Sequence, residues 1–202
     1  MDFKELLKKI WYFIWEEDSL LSWIVNVILA FILIKYILFP VLGLILGSQF
    51  PVVAVVSTSM EHGGSFDDWW QSNAVCGTFN CYQKDVYSTF GIDKTQFKSF
   101  KFSNGLNMGD VIFLTSTKNL KLGDTVVFFA KDGRPIIHRV INLNPIETKG
   151  DNNIAQIQTN VIDEKNIQRD SLVGKASLRL PFLGYVKIGF AYVLSLFGLQ
   201  VK

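Results

Sequence analysis

Hydrophobic residues follow three different rhythms along this chain. In residues 1–18, MDFKELLKKIWYFIWEED, Phe3, Leu6, Leu7, Ile10 and Phe13 or Ile14 recur at helical spacing, with Lys4, Lys8 and Lys9 on the other side. This pattern predicts an amphipathic helix resting on a membrane surface and closed by Glu16, Glu17 and Asp18. Residues 19–47 abandon the periodicity. They are almost wholly apolar, broken by Asn26 and Lys35, and the run exceeds the roughly 20 residues that span a bilayer. No small-residue cleavage site followed by a polar mature chain is present, so the run reads as a permanent transmembrane helix. Lys35 can snorkel to the far interface, and Pro40 with Gly43 is expected to kink or end the helix. Three lysines in the first nine residues favour a cytoplasmic N-terminus, with everything after Gly47 outside.

From residue 48 to 180 the rhythm becomes that of short strands. Pro51–Met60, PVVAVVSTSM, reads as a buried strand in which Val53, Val55, Ser57 and Ser59 share one face and Thr58 points away. A polar excursion follows over 61–108, expected to be an inserted subdomain. It contains Trp69 and Trp70, and a short helix is predicted from Asp93, which with Gln96 resembles a capping box. The two tryptophans fit a membrane interface and a small local core equally well. Gly109-Asp110, Gly123-Asp124 and Asp132-Gly133 are turn signals, and they introduce VIFLTS, TVVFFA and, from Pro135, IIHRVINL. Further strands are predicted at 146–148, 154–159 and 172–180. Residues 181–202 form a second apolar stretch, favoured as a transmembrane helix over an interfacial one. The expected class is mainly β: an extracytoplasmic β catalytic domain over 48–180 on N-terminal amphipathic and transmembrane helices.

Composition alters this picture little. The net charge is +2 with acids and bases nearly balanced, which gives no electrostatic footprint for nucleic acid. Only two cysteines occur, Cys76 and Cys81. With no second pair to complete a zinc site, a local disulfide and two free thiols are equally good readings.

The chemistry-bearing residues are few. Ser57 and Ser59 place two hydroxyls together at a strand end, where a nucleophile and an oxyanion donor could sit side by side. The chain has two histidines. His138 lies within an apolar strand, sharing a face with Ile136 and Val140 while Arg139 points the opposite way. Such a histidine is commonly a hydrogen-bonded core residue, but a nucleophilic serine needs a base that titrates near neutrality, and imidazole supplies one. His62 is the rival base, set in the flexible turn Glu61-His62-Gly63-Gly64. Asp151, in TKGDNN, follows a glycine able to adopt an unusual backbone angle. It is the candidate acid to fix the tautomer of His138 and stabilise its imidazolium.

In order along the chain, SMEHG after an apolar strand, GDVIF, GDTVVF, IIHRVI, TKGDNN and VGKASLRLPFLGYV together resemble signal peptidase I. The resemblance is strongest to its archaeal and endoplasmic-reticulum branch. It implies Ser59 as nucleophile, Ser57 as a contributor to the oxyanion hole, and a histidine base at His138 where the bacterial branch carries lysine. Two departures stand out. Thr58 replaces the glycine frequent between the serines, and no second acid follows Asp151 until Asp163 and Glu164, which makes Asp163 the reserve acid. The excursion 61–108 lies largely outside the resemblance.

The expected activity is removal of N-terminal signal peptides from exported proteins after small residues, without metal or cofactor. Expected partners are signal peptides, the lipid bilayer and the protein translocation machinery. The expected location is the cell membrane, or the endoplasmic reticulum membrane in a eukaryote. The competing reading is a catalytically silent, membrane-anchored β domain serving as a binding subunit of a translocation or envelope complex.

Overall fold

The computed structural model of the chain describes residues 2–185 and Gly189. Two compact units divide at Ile45/Leu46. The first is helical. Helix α1 (Phe3–Trp15) is followed by α2 (Leu20–Leu33), whose N-cap, Ser19, accepts from the Ser22 N–H. The carbonyls at the end of α1 lack intrahelical partners, and α2 satisfies two of them. Ser22 Oγ donates to the Phe13 carbonyl (2.6 Å) and Asn26 Nδ2 to that of Ile14 (2.9 Å). The polar residues of this apolar run therefore tie the two helices together.

Pro40 does not end the long helix. A π-helical turn (Ile34–Leu38) carries α2 directly into α3 (Phe39–Leu46), giving one helix of 27 residues with a mean hydropathy of 2.5. Proline has no N–H and its ring crowds the carbonyl four residues back. The wider turn immediately before it, in which Phe39 N–H bonds the Ile34 carbonyl, accommodates the ring without breaking the helix. This helix is long and apolar enough to cross a membrane.

The second unit is built on a six-stranded antiparallel sheet. Its strands are β1 (Val52–Ala54), β4 (Val111–Thr115), β5 (Thr125–Phe129), β6 (Pro135–Leu143), β7 (Ile146–Lys149) and β8 (Leu172–Leu180), ordered β1-β4-β8-β5-β6-β7. A small hairpin pairs β2 (Asn73–Cys76) with β3 (Phe79–Tyr82). Irregularities in the β4–β8, β5–β8 and β6–β7 pairings bend the large sheet. β1 and β6, far apart in strand order, both contribute residues to one cleft. Alternation along β5 sends Val126 and Phe128 into one core cluster, with Val140, Ile146 and Ile162. Val127 enters another, with Val55, Met60, Ile112 and Leu114.

Segment 61–108 carries α4 (Phe66–Trp70), α5 (Gln83–Thr89), α6 (Lys94–Ser99) and the β2–β3 hairpin, across which Cys76 and Cys81 form a disulfide. Asp93 caps α6 by accepting from the Gln96 N–H. Trp69 and Trp70 are buried with Tyr87, Ile92, Phe97 and Ile141. They form a local core, which decides between the two roles open to them from the sequence.

One strand expectation differs from the structure. Residues 154–159 are not a strand. Their backbone is held by scattered bonds, among them Val75 N–H to the Ile154 carbonyl and Ile157 N–H to a Glu164 side-chain oxygen. The predicted second membrane helix over 181–202 falls almost wholly outside the described residues.

Candidate active site

The strand that carries the two serines is shorter than the valine run suggests. β1 stops at Ala54, although Val55 still exchanges backbone bonds with Asp110 and Gly109. The chain then turns, closed by Glu61 N–H to the Thr58 carbonyl at 3.0 Å. Fully buried Met60 pins this turn into the core, and the Glu61 carboxylate accepts from the Met108 N–H. The hydroxyls expected to adjoin do so, with Ser57 Oγ 3.1 Å from Ser59 Oγ.

His138 arrives from the middle of β6, almost completely buried. Its Nε2 lies 3.1 Å from Ser59 Oγ, and its Nδ1 lies 2.5 Å from Glu164 Oε1. Glu164 is itself fully buried. Oε1 also accepts from Thr148 Oγ1 (3.1 Å) and Oε2 from the Ile157 N–H (2.6 Å). No cation pairs with this carboxylate among the described residues. An imidazole between a serine hydroxyl and an unneutralised carboxylate is the arrangement in which the ring can take the serine proton and the acid can stabilise the resulting charge.

Asp151 does not occupy that position. The expectation that it holds the His138 imidazole conflicts with its bonds, which run to the opposite side of the sheet. Arg139 donates Nε to Oδ1 (2.9 Å) and Nη2 to Oδ2 (2.6 Å), Tyr87 donates its hydroxyl to Oδ1 (2.9 Å), and His62 Nε2 lies 3.0 Å from Oδ2. The physical reason is strand alternation. His138 and Arg139 are neighbours in β6 and face opposite ways, so Arg139 captures Asp151 and leaves His138 to another acid. Burial alone would raise the Asp151 carboxyl, but the guanidinium and the bonds from His62 and Arg139 outweigh it. They hold the group well below the usual carboxylate range. Arg139 spends its remaining N–H groups on the carbonyls of Lys101, Gly123 and Phe102, so this buried ion pair is fully bonded.

Asp163, the reserve acid, is exposed and bonded only to its own loop. Glu164, one residue on, is the acid at the imidazole. A signal for it was present: Ile162 and Glu164 share a parity, so whatever buries the isoleucine also turns the glutamate inward. His62, the rival base, stacks flat on Trp69 with ring centroids 3.6 Å apart. It is bonded to Asp151 rather than to a serine.

Gly150 matters through space rather than backbone angle, since its φ is not positive. A β-carbon there would lie 2.7 Å from His138 Nε2 and 2.6 Å from Asn153 Nδ2. Beside these groups runs a cleft of about 430 Å³, lined by Val53, Val55, Ile136, Ser57, Ser59 and His138 among others.

No protein-family model matches the chain. Among curated proteins it is 37% identical over 91 residues to the signal peptidase complex catalytic subunit SEC11 of Candida tropicalis, covering 40% of this chain and 54% of that one. It is 34% identical over 91 residues to the protein of that name from Sclerotinia sclerotiorum, covering 40% of this chain and 53% of that one. The chain is similar to signal peptidase. It spans about half the length of the curated relatives it matches. The resemblance read from the sequence motifs to the archaeal and endoplasmic-reticulum branch of signal peptidase I therefore holds.

Proposed function

We propose that the chain is a membrane-bound serine endopeptidase that removes signal peptides from exported proteins, with Ser59 as nucleophile, His138 as base and Glu164 as the acid behind it. The observation that carries this reading is the unbroken series Ser59 Oγ, His138 Nε2, His138 Nδ1 and Glu164 Oε1, with separations of 3.1 Å and 2.5 Å. Similarity to catalytic subunits of the signal peptidase complex supports the substrate class and a working association with other subunits.

In the proposed cycle His138 takes the Ser59 proton as Oγ attacks the scissile carbonyl. The Ser59 N–H and the Ser57 hydroxyl hold the oxyanion. His138 then protonates the leaving amine, and water hydrolyses the acyl-enzyme by the same proton path. Glu164 stabilises the imidazolium without itself taking the proton. Asp151, its charge already matched by Arg139, serves structure.

Substrate preference follows from the cleft. β1 pairs with β4 on one side only, and an extended peptide can add to its other edge while alternate side chains meet the cleft wall. Val53, Val55 and Ile136 line the cleft, and pockets kept shallow by such branched side chains would suit the small residues of signal-peptide cleavage sites. The apolar helix holds the chain in the same membrane that receives the signal segment.

The test is cleavage of a signal-bearing precursor in liposomes by wild type and Ser59→Ala. Wild type is expected to cut after a small residue while folded Ser59→Ala is inert. Equal cutting by both, or by neither, overturns the reading.

A further inference from the structure

The turn 150–153 touches the nucleophile through Asn152. Asn152 N–H donates to the Ser59 carbonyl at 2.8 Å, and Asn152 Nδ2 donates to the Thr58 carbonyl at 3.1 Å. The Thr58 carbonyl accepts a second bond from the Glu61 N–H. This carbonyl belongs to the same peptide unit as the Ser59 N–H. In a planar trans peptide the C=O and N–H point in opposite directions, so fixing one aims the other. Among the described residues the Ser59 N–H donates to no protein group.

We infer that Asn152 is a positioning residue for the oxyanion hole: its side-chain amide, by holding the Thr58 carbonyl, keeps the Thr58–Ser59 peptide from flipping and the Ser59 N–H aimed at the cleft. The inference rests on the serine-hydrolase reading above and adds to it a reason for the asparagine. A peptide flip would turn the Thr58 carbonyl toward the reacting carbonyl, replacing an oxyanion donor with a repelling oxygen. Thr58 and Asn152 are both exposed, so the Glu61 bond alone must compete with water at that carbonyl. Asn152 is anchored for the task because its neighbours are braced. Trp69 Nε1 donates to the Asp151 carbonyl (3.0 Å), Gln83 Nε2 to the Asn153 carbonyl (3.0 Å), and Lys149 Nζ to the Asn153 carbonyl (2.7 Å). Segment 61–108 thereby reaches the nucleophile through this turn.

The experiment compares wild type, Asn152→Ala and Asn152→Asp as full-length protein in detergent. It measures cleavage of a signal-bearing precursor and the affinities for two peptides of the cleavage-site sequence, one ending in an aldehyde and one in a free carboxylate. The aldehyde forms a covalent tetrahedral adduct whose oxygen needs the hole, whereas the product carboxylate forms no bond to Ser59 and depends on the hole far less. Asn152→Ala is expected to lower kcat about tenfold or more and aldehyde affinity in parallel, with KM, product affinity and Tm near wild type. Asn152→Asp, nearly the same shape but with no donor for the carbonyl, is expected to be worse than alanine. Unchanged kcat and aldehyde affinity in Asn152→Ala overturns the inference. So does a joint fall of kcat, product affinity and Tm, which marks a merely structural role. Ser59→Ala separates the two levels. If it is inert while Asn152→Ala behaves as wild type, only the inference fails; if it cleaves normally, the serine-hydrolase reading fails and the inference with it.

Discussion

Two histidine–carboxylate pairs flank the same turn in this molecule, and they are built for different ends. His138 with Glu164 and His62 with Asp151 are both buried, and in each pair a ring nitrogen approaches a carboxylate oxygen within 3.0 Å. The difference lies in what else each partner touches. The far nitrogen of His138 meets a serine hydroxyl, and among the described residues its carboxylate has no cation. Among the described residues the far nitrogen of His62 is buried without a partner, its ring lies flat on Trp69, and its carboxylate is claimed by Arg139 and Tyr87. A carboxylate already neutralised by a guanidinium has little left to offer an imidazolium. Pairing a histidine with an acid does not make a base. What does is an acid left uncompensated and a nucleophile at the other nitrogen.

The largest effect should come from exchanging the two rings for amides. His138→Gln is expected to reduce cleavage of a signal-bearing precursor by about 10⁴-fold or more at nearly unchanged Tm. His62→Gln should keep cleavage within a few-fold of wild type and lower Tm instead. Comparable activity losses in both would dissolve the distinction. The acids come next. Glu164→Gln keeps the shape but removes the charge that stabilises the imidazolium, so kcat should drop about a thousandfold or more while the fold persists. Asp151→Asn leaves Arg139 buried beside a neutral amide, and removing one partner of such a pair costs about 3–5 kcal/mol. Its deficit should appear in denaturant midpoint first. Activity per folded molecule, measured at low temperature, should fall far less than in Glu164→Gln.

How far the sequence reaches is visible in these same residues. Strands β4, β5 and β6 were legible because Gly-Asp and Asp-Gly turns punctuate runs of β-branched and aromatic residues. Ser59 and His138 were legible because each stands out against an apolar strand. The acid was not. A carboxylate's role depends on which cation reaches it. The capture of Asp151 by Arg139 follows from neighbouring residues of β6 facing opposite ways. Choosing Glu164 over Asp163 needed the inward parity it shares with Ile162, in a segment where strand periodicity is otherwise lost. Pro40 left a kink and an end equally open for a different reason. Proline ends a regular α-helix, and nothing local announces that one π-helical turn will absorb it. The role of Asn152 lies further out of reach, since it depends on two carbonyls more than 90 residues away in sequence.

The smallest effect sharpens the comparison through pH, because the Asp151 side of the molecule should govern stability while the His138 side governs turnover. Lys149 is buried next to Asp151. Burial pulls its ammonium down from the usual 10.5 to about 8, with Asp151 and Glu164 resisting the change. Between about 8 and 10.5 the unfolded chain therefore holds a proton that the folded chain has released. The unfolded state binds more protons there, so stability rises with pH across that window, by roughly 3 kcal/mol at most. Asp151 works at the other end. Its folded carboxyl titrates well below the ordinary value, so its contribution is present above about pH 4 and is lost as the pH falls further. Thermal unfolding of the full-length protein in detergent, followed by tryptophan fluorescence, should show Tm increasing from pH 8 to 10. Because Cys76 and Cys81 are bonded to each other and no free cysteine is present, thiol exchange does not confound that range. Lys149→Met should lower Tm throughout, since the Gln83 side chain and the carbonyls of Gly150 and Asn153 lose their donor. It should also flatten the slope above pH 8. A slope that survives the substitution would assign it to other lysines, and would remove Lys149 from the cluster that makes the Asp151 side the structural half of the pair.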